Sequence, residues 1–293
     1  MRLVLGVAYL MLIVLSGSLF AQRVIVHYDT IGHAELIAPS DSRFAPIRDD
    51  ILKFAGTNNS IAAFQHIAIV LQNKSPEPIL GYTIKWQVIG ASGEISRVSL
   101  TWWQRLALAA VKGEADSKNP AKVRAALMVQ VVAPGESRLI SPFFNLSVQS
   151  DVAKFGIGPF SGPSEFSEQV LNAVSIEATL DSVVYGDGLC EGEDTLNLCT
   201  SINGRMDGTR FLVETARKLE TNGMGRLQIL DQLSAKSAVT AQRGPSRKAS
   251  EEEWSGYAKT MLMADIGRIR SLHGDDRAME ELYRVNTSFR VHR

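Results

Sequence analysis

Two cysteines lie close together late in the chain, at Cys190 and Cys199, with eight residues between them. Two cysteines alone are too few soft ligands for a metal site, and the two-residue spacing of redox-active pairs is missing. In an oxidising compartment such a pair closes a local disulfide, because a loop this short brings the two Cα atoms into bonding range. The sequence therefore predicts a Cys190–Cys199 disulfide that contributes about 2–3 kcal/mol through loop entropy.

The segment around the cysteines is acidic and rich in glycine. Calcium binds hard oxygen ligands on flexible, glycine-bent loops, but the spacing does not match the helix–loop–helix calcium motif. Two interpretations stay open, a solvated turn or a metal site. The candidate ligands for the metal site are Asp187, Glu191, Glu193 and Asp194.

A second group of ligand-type side chains lies near the N-terminus and consists of His27, Asp29, His33 and Glu35. On two arms of one hairpin these side chains could bind a transition metal. No spacing among them is diagnostic, so exposed polar positions remain the alternative.

Motifs of the well-known catalytic sites are absent from the sequence. It contains no Gly-x-Ser-x-Gly nucleophile elbow, no glycine-rich phosphate loop and no His-Glu-x-x-His helix. The paired carboxylates Asp49-Asp50 and Asp275-Asp276 are adjacent residues, whose side chains point apart. We therefore expect no cofactor and favour a non-catalytic protein over an enzyme, with a hydrolase built from dispersed residues as the alternative.

Trp102 and Trp103 are the candidate partner-binding residues. On a strand, one indole would face the core and the other the solvent, where tryptophan anchors a protein, peptide or carbohydrate partner. The alternative is a segment that folds back and buries both indoles. An envelope protein or a glycan is the partner that this feature suggests.

The charge is balanced, with 31 basic and 31 acidic residues, which argues against a nucleic-acid-binding protein. The balance conceals an asymmetry. Residues 22–204 carry 14 basic and 19 acidic side chains, a net of −5, whereas residues 205–293 carry 16 and 12, a net of +4. We expect the basic C-terminal part to dock on the acidic part.

The N-terminus has the order of a secretory signal: Arg2, an apolar run from Leu3 to Leu15, and small residues up to Ala21. The run of 13 residues is shorter than a span of about 30 Å of hydrocarbon requires. The sequence therefore predicts a signal peptide at residues 1–21 and a secreted or periplasmic protein without a later membrane span. An uncleaved N-terminal anchor is the alternative.

Short strands dominate the first two thirds of the chain. Tyr82, Ile84, Trp86 and Val88 alternate with polar or small residues, as on a strand with one buried face. Prolines and glycines mark turns between such runs, and few helices separate them, which favours an antiparallel β-sandwich at residues 22–189. Within it, a short helix is expected at residues 103–111, and His66 is expected to be buried in a strand.

The period changes after residue 200, where apolar residues recur at helical spacing. The expected inward-facing side chains include Phe211, Leu227 and Leu272, and Ser250 with Glu253 forms a capping box. The predicted fold is thus α+β: an antiparallel sandwich at 22–189, an acidic disulfide-closed turn at 190–199 and a helical region at 200–293.

The stretch Val132–Pro142, together with Ile67–Trp86 and the acidic turn after Val184, resembles uncharacterised exported bacterial proteins with an immunoglobulin-like β-sandwich. The resemblance covers roughly half of the chain and excludes the helical tail. It implies an immunoglobulin-like sandwich and no activity.

The sequence thus predicts an exported, non-catalytic binding or structural module of the cell envelope. The alternatives are an envelope hydrolase and a calcium- or metal-stabilised adhesion module. The oligomeric state is not specified by any of these patterns.

Overall fold

The computed structural model describes residues 23–27, 30–55, 64–103, 132–147, 165–237, 244–246, 248–285, 287 and 289–293. The predicted signal peptide at residues 1–21 and the candidate ligand Asp29 lie outside these ranges. The described residues form an α+β fold with two β-sheets followed by C-terminal helices, as predicted.

The elements follow one another in chain order as β1 (Arg23–His27), β2 (Thr30–Ile31), β3 (Ala34–Ile37), α1 (Phe44–Ala55), a 3-10 turn (Gln65–Ile67), β4 (Ile69–Asn73), β5 (Ile79–Ile89), β6 (Ile95–Trp103), β7 (Ser137–Ser141), β8 (Phe144–Ser147), α2 (Glu165–Leu171), β9 (Ser175–Tyr185), β10 (Cys190–Gly192), α3 (Leu198–Thr221), α4 (Arg226–Ser237) and α5 (Glu251–Arg284). We call the part up to β10 the two-sheet unit and α3 to α5 the helical unit.

Sheet A has the strand order β1-β9-β5-β6, and β10 pairs with β9 beyond the end of β1. Sheet B has the order β2-β3-β4-β7-β8 and is antiparallel throughout. The prediction of a purely antiparallel fold is wrong for sheet A, because β1 runs parallel to β9. Alternation within a strand reveals its faces but carries no information on the direction of a partner that is about 150 residues away.

The alternating face of β5 lies in the core that the two sheets share. Tyr82, Ile84, Trp86 and Val88 are all buried there. A turn at residues 90–94, with Gly93 at φ +85°, leads from β5 into β6. The hairpin predicted from this segment is confirmed, because β5 and β6 pair antiparallel over nine residues of each strand.

Helix α1 was not identified from the sequence. Phe44 and Ile51, at helical spacing, are buried and join the core of the two-sheet unit. The helix contacts β4, β7 and β8, so it covers sheet B on the side away from sheet A. Val70, Leu139 and Phe144 are consequently buried, although they alternate with residues that face sheet A.

The structure corrects the expected helix at its first residue and the expected position of His66. Strand β6 extends through Trp103, where a helix was expected to begin; the rest of that expected helix lies outside the described residues. His66 is exposed on the 3-10 turn and is not a buried strand residue.

The helical unit has its own core, to which α3, α4 and α5 contribute. The capping box is confirmed, since Ser250 Oγ accepts a hydrogen bond from the Glu253 N–H and the Glu253 carboxylate accepts one from the Ser250 N–H. Phe211, Leu227 and Leu272, however, are exposed. Helical spacing shows which residues share a face, but which face a neighbouring helix covers depends on tertiary packing.

The close approach of α3 and α5 depends on two glycines. A Cβ at Gly204 would clash with the backbone of Glu251, and a Cβ at Gly208 would clash with the carbonyl oxygen of Ser255. The lack of side chains at these two positions lets the helix backbones approach each other closely.

Candidate functional site at the junction of the two units

The two units meet where the chain passes from β10 to α3 and where the C-terminus returns to them. We define the junction as residues 190–199 with the C-terminal residues 289–293. Cys190 lies on β10 and Cys199 in the first turn of α3, and the predicted disulfide between them is present, with the Cα atoms 6.3 Å apart. Because β10 pairs with β9, the segment predicted as a turn begins as a strand of sheet A.

A small apolar cluster surrounds the disulfide. It joins sheet A, α3 and the C-terminus, and its buried members are Val184, Cys190, Leu198, Cys199, Ile202, Met206 and Val291. Neither of the two larger cores includes these side chains. The cluster therefore docks the helical unit on the two-sheet unit by burial of apolar surface, in addition to the covalent bond.

Asp194 is the buried carboxylate of the junction, with only 3% of its surface exposed. Its backbone is left-handed, at φ +53°. One carboxylate oxygen accepts hydrogen bonds from the N–H of Leu198 at 2.6 Å and of Cys199 at 3.4 Å, and the other lies 3.1 Å from the guanidinium of Arg293. Asp194 thus satisfies free N–H groups at the start of α3 and pairs with the last residue of the chain.

Asp181 is a second buried carboxylate beside the junction, on β9 of sheet A. Lys85 lies 2.8 Å from it, the Thr195 hydroxyl donates to it at 2.6 Å, and the N–H of Leu196 donates at 3.3 Å. This carboxylate therefore ties the loop between β10 and α3 to β5 and β9.

The C-terminus attaches to the same place through its backbone. The His292 N–H donates to the Gly188 carbonyl at 2.8 Å, and the Cys190 N–H donates to the His292 carbonyl at 2.7 Å. The Asn203 side chain bonds both the N–H and the carbonyl of Val291. The helical unit is thus joined to sheet A at its beginning and at its end, and the predicted docking is observed, although most of its contacts are apolar or uncharged.

The four candidate calcium ligands do not lie together as one group. Asp187 accepts a hydrogen bond from the Leu189 N–H, and Glu193 lies 3.6 Å from Lys85 on the surface. The Glu191 carboxylate lies over Gly32, and one of its oxygens is buried without a hydrogen bond. In the described part of the chain, the one close group of metal-ligand side chains combines Asp194 with Cys190 and Cys199.

The N-terminal histidines and Glu35 do not converge either. His27, on sheet A, lies 3.4 Å from Glu177. Glu35, on sheet B, accepts two hydrogen bonds from Arg43 and lies 2.5 Å from Lys74. The hydrogen bonds from Arg43 lower the pKa of Glu35, so this carboxylate is part of an ion-pair cluster.

The tryptophan pair lies at the end of β6. The register pairs Trp102 with Tyr82 and Trp103 with Gly81, so successive positions of the strand alternate between the faces of sheet A. The side chains of both tryptophans lie outside the described residues. Partner binding by these two residues therefore stays a prediction.

A buried polar cluster next to Tyr82 was missed by the sequence analysis. The Asn145 amide donates to the Tyr82 hydroxyl at 2.6 Å across the two sheets, and burial raises the pKa of Tyr82. Arg138 and Glu136, 3.5 Å apart, are both buried and both act electrostatically on Tyr82. The sequence of β7 gave no signal, since Arg138 is followed by three residues that are all buried, whichever face of the strand they occupy.

None of the helices in the described part of the chain is long and apolar enough to cross a membrane. Comparison with protein-family models, with curated proteins and with solved structures finds no match for the chain. The functional argument therefore depends on the residues and contacts above.

Proposed function

We propose that the protein is an exported, non-catalytic binding or structural module of the cell envelope. In this proposal residues 1–21 direct export, the two-sheet unit is an immunoglobulin-like sandwich, and the partner is an envelope protein or a glycan. The observation that carries the proposal is the junction, in which a buried disulfide and two buried carboxylates hold the helical unit on sheet A.

The disulfide supports a compartment outside the cytoplasm. Disulfides persist in oxidising environments such as the periplasm and the extracellular space, and are rare in reducing ones. Cys190 and Cys199 are buried, so the bond is part of the packed junction. A disulfide of this kind is typical of exported proteins.

The contacts of the junction carboxylates support a structural role. Asp181 and Asp194 each accept backbone N–H hydrogen bonds and each lie beside a basic side chain. A general base needs a carboxylate that can reach a substrate proton. These two carboxylates instead fix the loop between the units, which gives a partner one rigid surface made from both units.

Export and oxidation are tested together by labelling thiols in intact cells. We expect both cysteines of the processed chain to resist alkylation until a reductant is added, and the chain to fractionate with the envelope. The double variant Cys190→Ser, Cys199→Ser should lose about 2–4 kcal/mol of unfolding free energy. A full-length chain with free thiols in the cytoplasmic fraction would contradict the proposal.

Binding is tested by co-sedimentation of the purified protein with isolated envelope membranes and with purified envelope glycan. We expect saturable binding to one of the two, weakened in the double serine variant because the two units are no longer held rigidly. Degradation of the glycan or of an envelope protein during the incubation, at a rate proportional to protein concentration, would instead support an envelope hydrolase.

A further inference from the structure

The junction brings together three side chains of metal-ligand type. The sulfur atoms of Cys190 and Cys199 and one carboxylate oxygen of Asp194 all lie within 4.8 Å of one another. The three residues are buried, with 6%, 6% and 3% of their surfaces exposed. They belong to β10, to the following loop and to the first turn of α3, so packed secondary structure positions two of them and a left-handed backbone positions the third.

The oxidised junction cannot use its sulfur atoms as thiolate ligands, because they are bonded to each other. A dithiol reductant changes this. The S–S bond breaks, two electrons and two protons pass from the dithiol to the cysteines, and the dithiol becomes a cyclic disulfide. The products are two thiols that face the Asp194 carboxylate.

We propose that the reduced junction is a zinc site with Cys190, Cys199 and Asp194 as its three protein ligands. Zn²⁺ accepts thiolate and carboxylate ligands in tetrahedral geometry, and water fills a fourth position where the protein supplies three ligands. Binding displaces one proton from each cysteine. Two thiolates select a borderline or soft cation, and they disfavour Ca²⁺, which prefers oxygen ligands.

The surrounding charges suit such a site. Two thiolates and one carboxylate around Zn²⁺ leave a net charge of −1. Arg293, whose guanidinium lies 3.1 Å from Asp194, supplies one positive charge. Cys199 lies in the first turn of α3, where the positive end of the helix dipole stabilises a thiolate.

The zinc site would keep the junction closed when the disulfide is absent. The same loop would be held by Zn²⁺ in a reducing compartment and by the S–S bond in an oxidising one. This consequence for the newly made chain rests on the export proposed above. The zinc site itself does not, because it requires only the reduced, folded chain.

The test is a zinc titration of the full chain in competition with a chromophoric chelator, under anaerobic conditions and with a phosphine reductant. We expect one Zn²⁺ per reduced chain and none per oxidised chain. Asp194→Asn keeps an oxygen that caps α3 and should weaken zinc binding by about 10–100-fold. Asp187→Asn is the matched control, since its carboxylate contacts the Leu189 N–H in the same region, and should bind zinc like the parent chain.

Cadmium gives a second measurement that does not depend on a variant, because thiolate-to-cadmium charge transfer produces an ultraviolet band in the reduced chain only. The proposal is overturned if the reduced parent chain binds no zinc, if it shows no cadmium band, or if Asp194→Asn binds zinc as tightly as Asp187→Asn. Thiol labelling in cells reports on export separately, so failure of the zinc site and failure of the proposed function give different results.

Discussion

Two ion pairs, one in each unit, are buried to different depths. In the two-sheet unit, Arg138 and Glu136 are both almost completely buried, with 3% and 6% of their side chains exposed. In the helical unit, Arg270 pairs with Asp231 and Asp275 while a quarter of the arginine and 60% of Asp231 remain exposed. The first pair has lost its hydration, and the second has kept much of it.

This difference determines how well each of the two pairs tolerates the loss of one partner. An ion pair in a low-dielectric interior offsets a desolvation cost of several kcal/mol only while both partners are present. A pair near solvent contributes little, because water and salt screen it. The Arg138–Glu136 and Arg270–Asp231 ion pairs should therefore differ in the unfolding free energy that is lost when one partner is removed.

The largest expected effect comes from removing the buried arginine. Arg138→Met should lower the unfolding free energy by about 3–5 kcal/mol, because Glu136 is left buried without its cation. The matched change Arg270→Met, in the helical unit, should cost at most about 1 kcal/mol. Urea unfolding of both variants measures the difference, and equal losses would mean that burial does not distinguish the two pairs.

The features that the sequence predicted correctly depend on residues within short stretches of the chain. Alternation identified the buried face of β5, a four-residue pattern identified the cap at Ser250, and two nearby cysteines identified the disulfide. Each depends on residues that are neighbours along the chain, where spacing alone determines geometry.

The features that it missed depend on distant partners. Nothing in β1 shows that it pairs parallel with β9, and nothing near Asp194 shows that the C-terminal Arg293 reaches it. Asp194 was one of four candidate calcium ligands in a segment that could equally be a solvated turn, and the structure places it beside the two cysteines at the start of α3. Helix α1 did have a local signal, because Phe44, Ile47 and Ile51 recur at helical spacing.

An intermediate effect is expected where the helical unit depends on close packing. Gly208→Ala should cost about 1–3 kcal/mol, because the new methyl group clashes with the Ser255 carbonyl oxygen and separates α3 from α5. Gly256→Ala on α5 is the control. Its methyl group meets no atom within 4 Å, so it should stabilise the protein by about 0.5–1 kcal/mol through helix propensity.

Thermal unfolding of these two variants sharpens the comparison of the units. If Gly208→Ala were as stable as Gly256→Ala, the helices would be able to separate without loss, and the helical unit would not depend on close backbone packing. A clear loss of stability in Gly208→Ala, together with a small effect of Arg270→Met, would show that packing contributes more than charge to the stability of this unit.

The smallest expected effect concerns two tyrosines, one in each unit. Burial raises the pKa of Tyr185 to about 12, and burial with a hydrogen bond to Glu220 raises that of Tyr283 to about 12. A raised pKa in the folded state gives stability that is fully present below pH 10, the ordinary tyrosine value, and is lost as pH rises toward 12. The unfolding free energy should therefore fall in that window.

Tyr185→Phe should remove more of this fall than Tyr283→Phe, because burial raises the pKa of Tyr185, whereas Tyr283 is partly exposed to screening solvent. The Tyr185 hydroxyl also accepts a hydrogen bond from the His33 N–H and donates one to the Ile31 carbonyl, each at 3.2 Å. At neutral pH the loss of those two bonds should cost about 1 kcal/mol. Urea unfolding of both variants between pH 7 and about pH 11 measures how steeply the unfolding free energy of each falls with pH. A flatter profile for Tyr283→Phe would place the stronger pH dependence in the helical unit and reverse the comparison, since a surface hydroxyl would then matter more than a buried one.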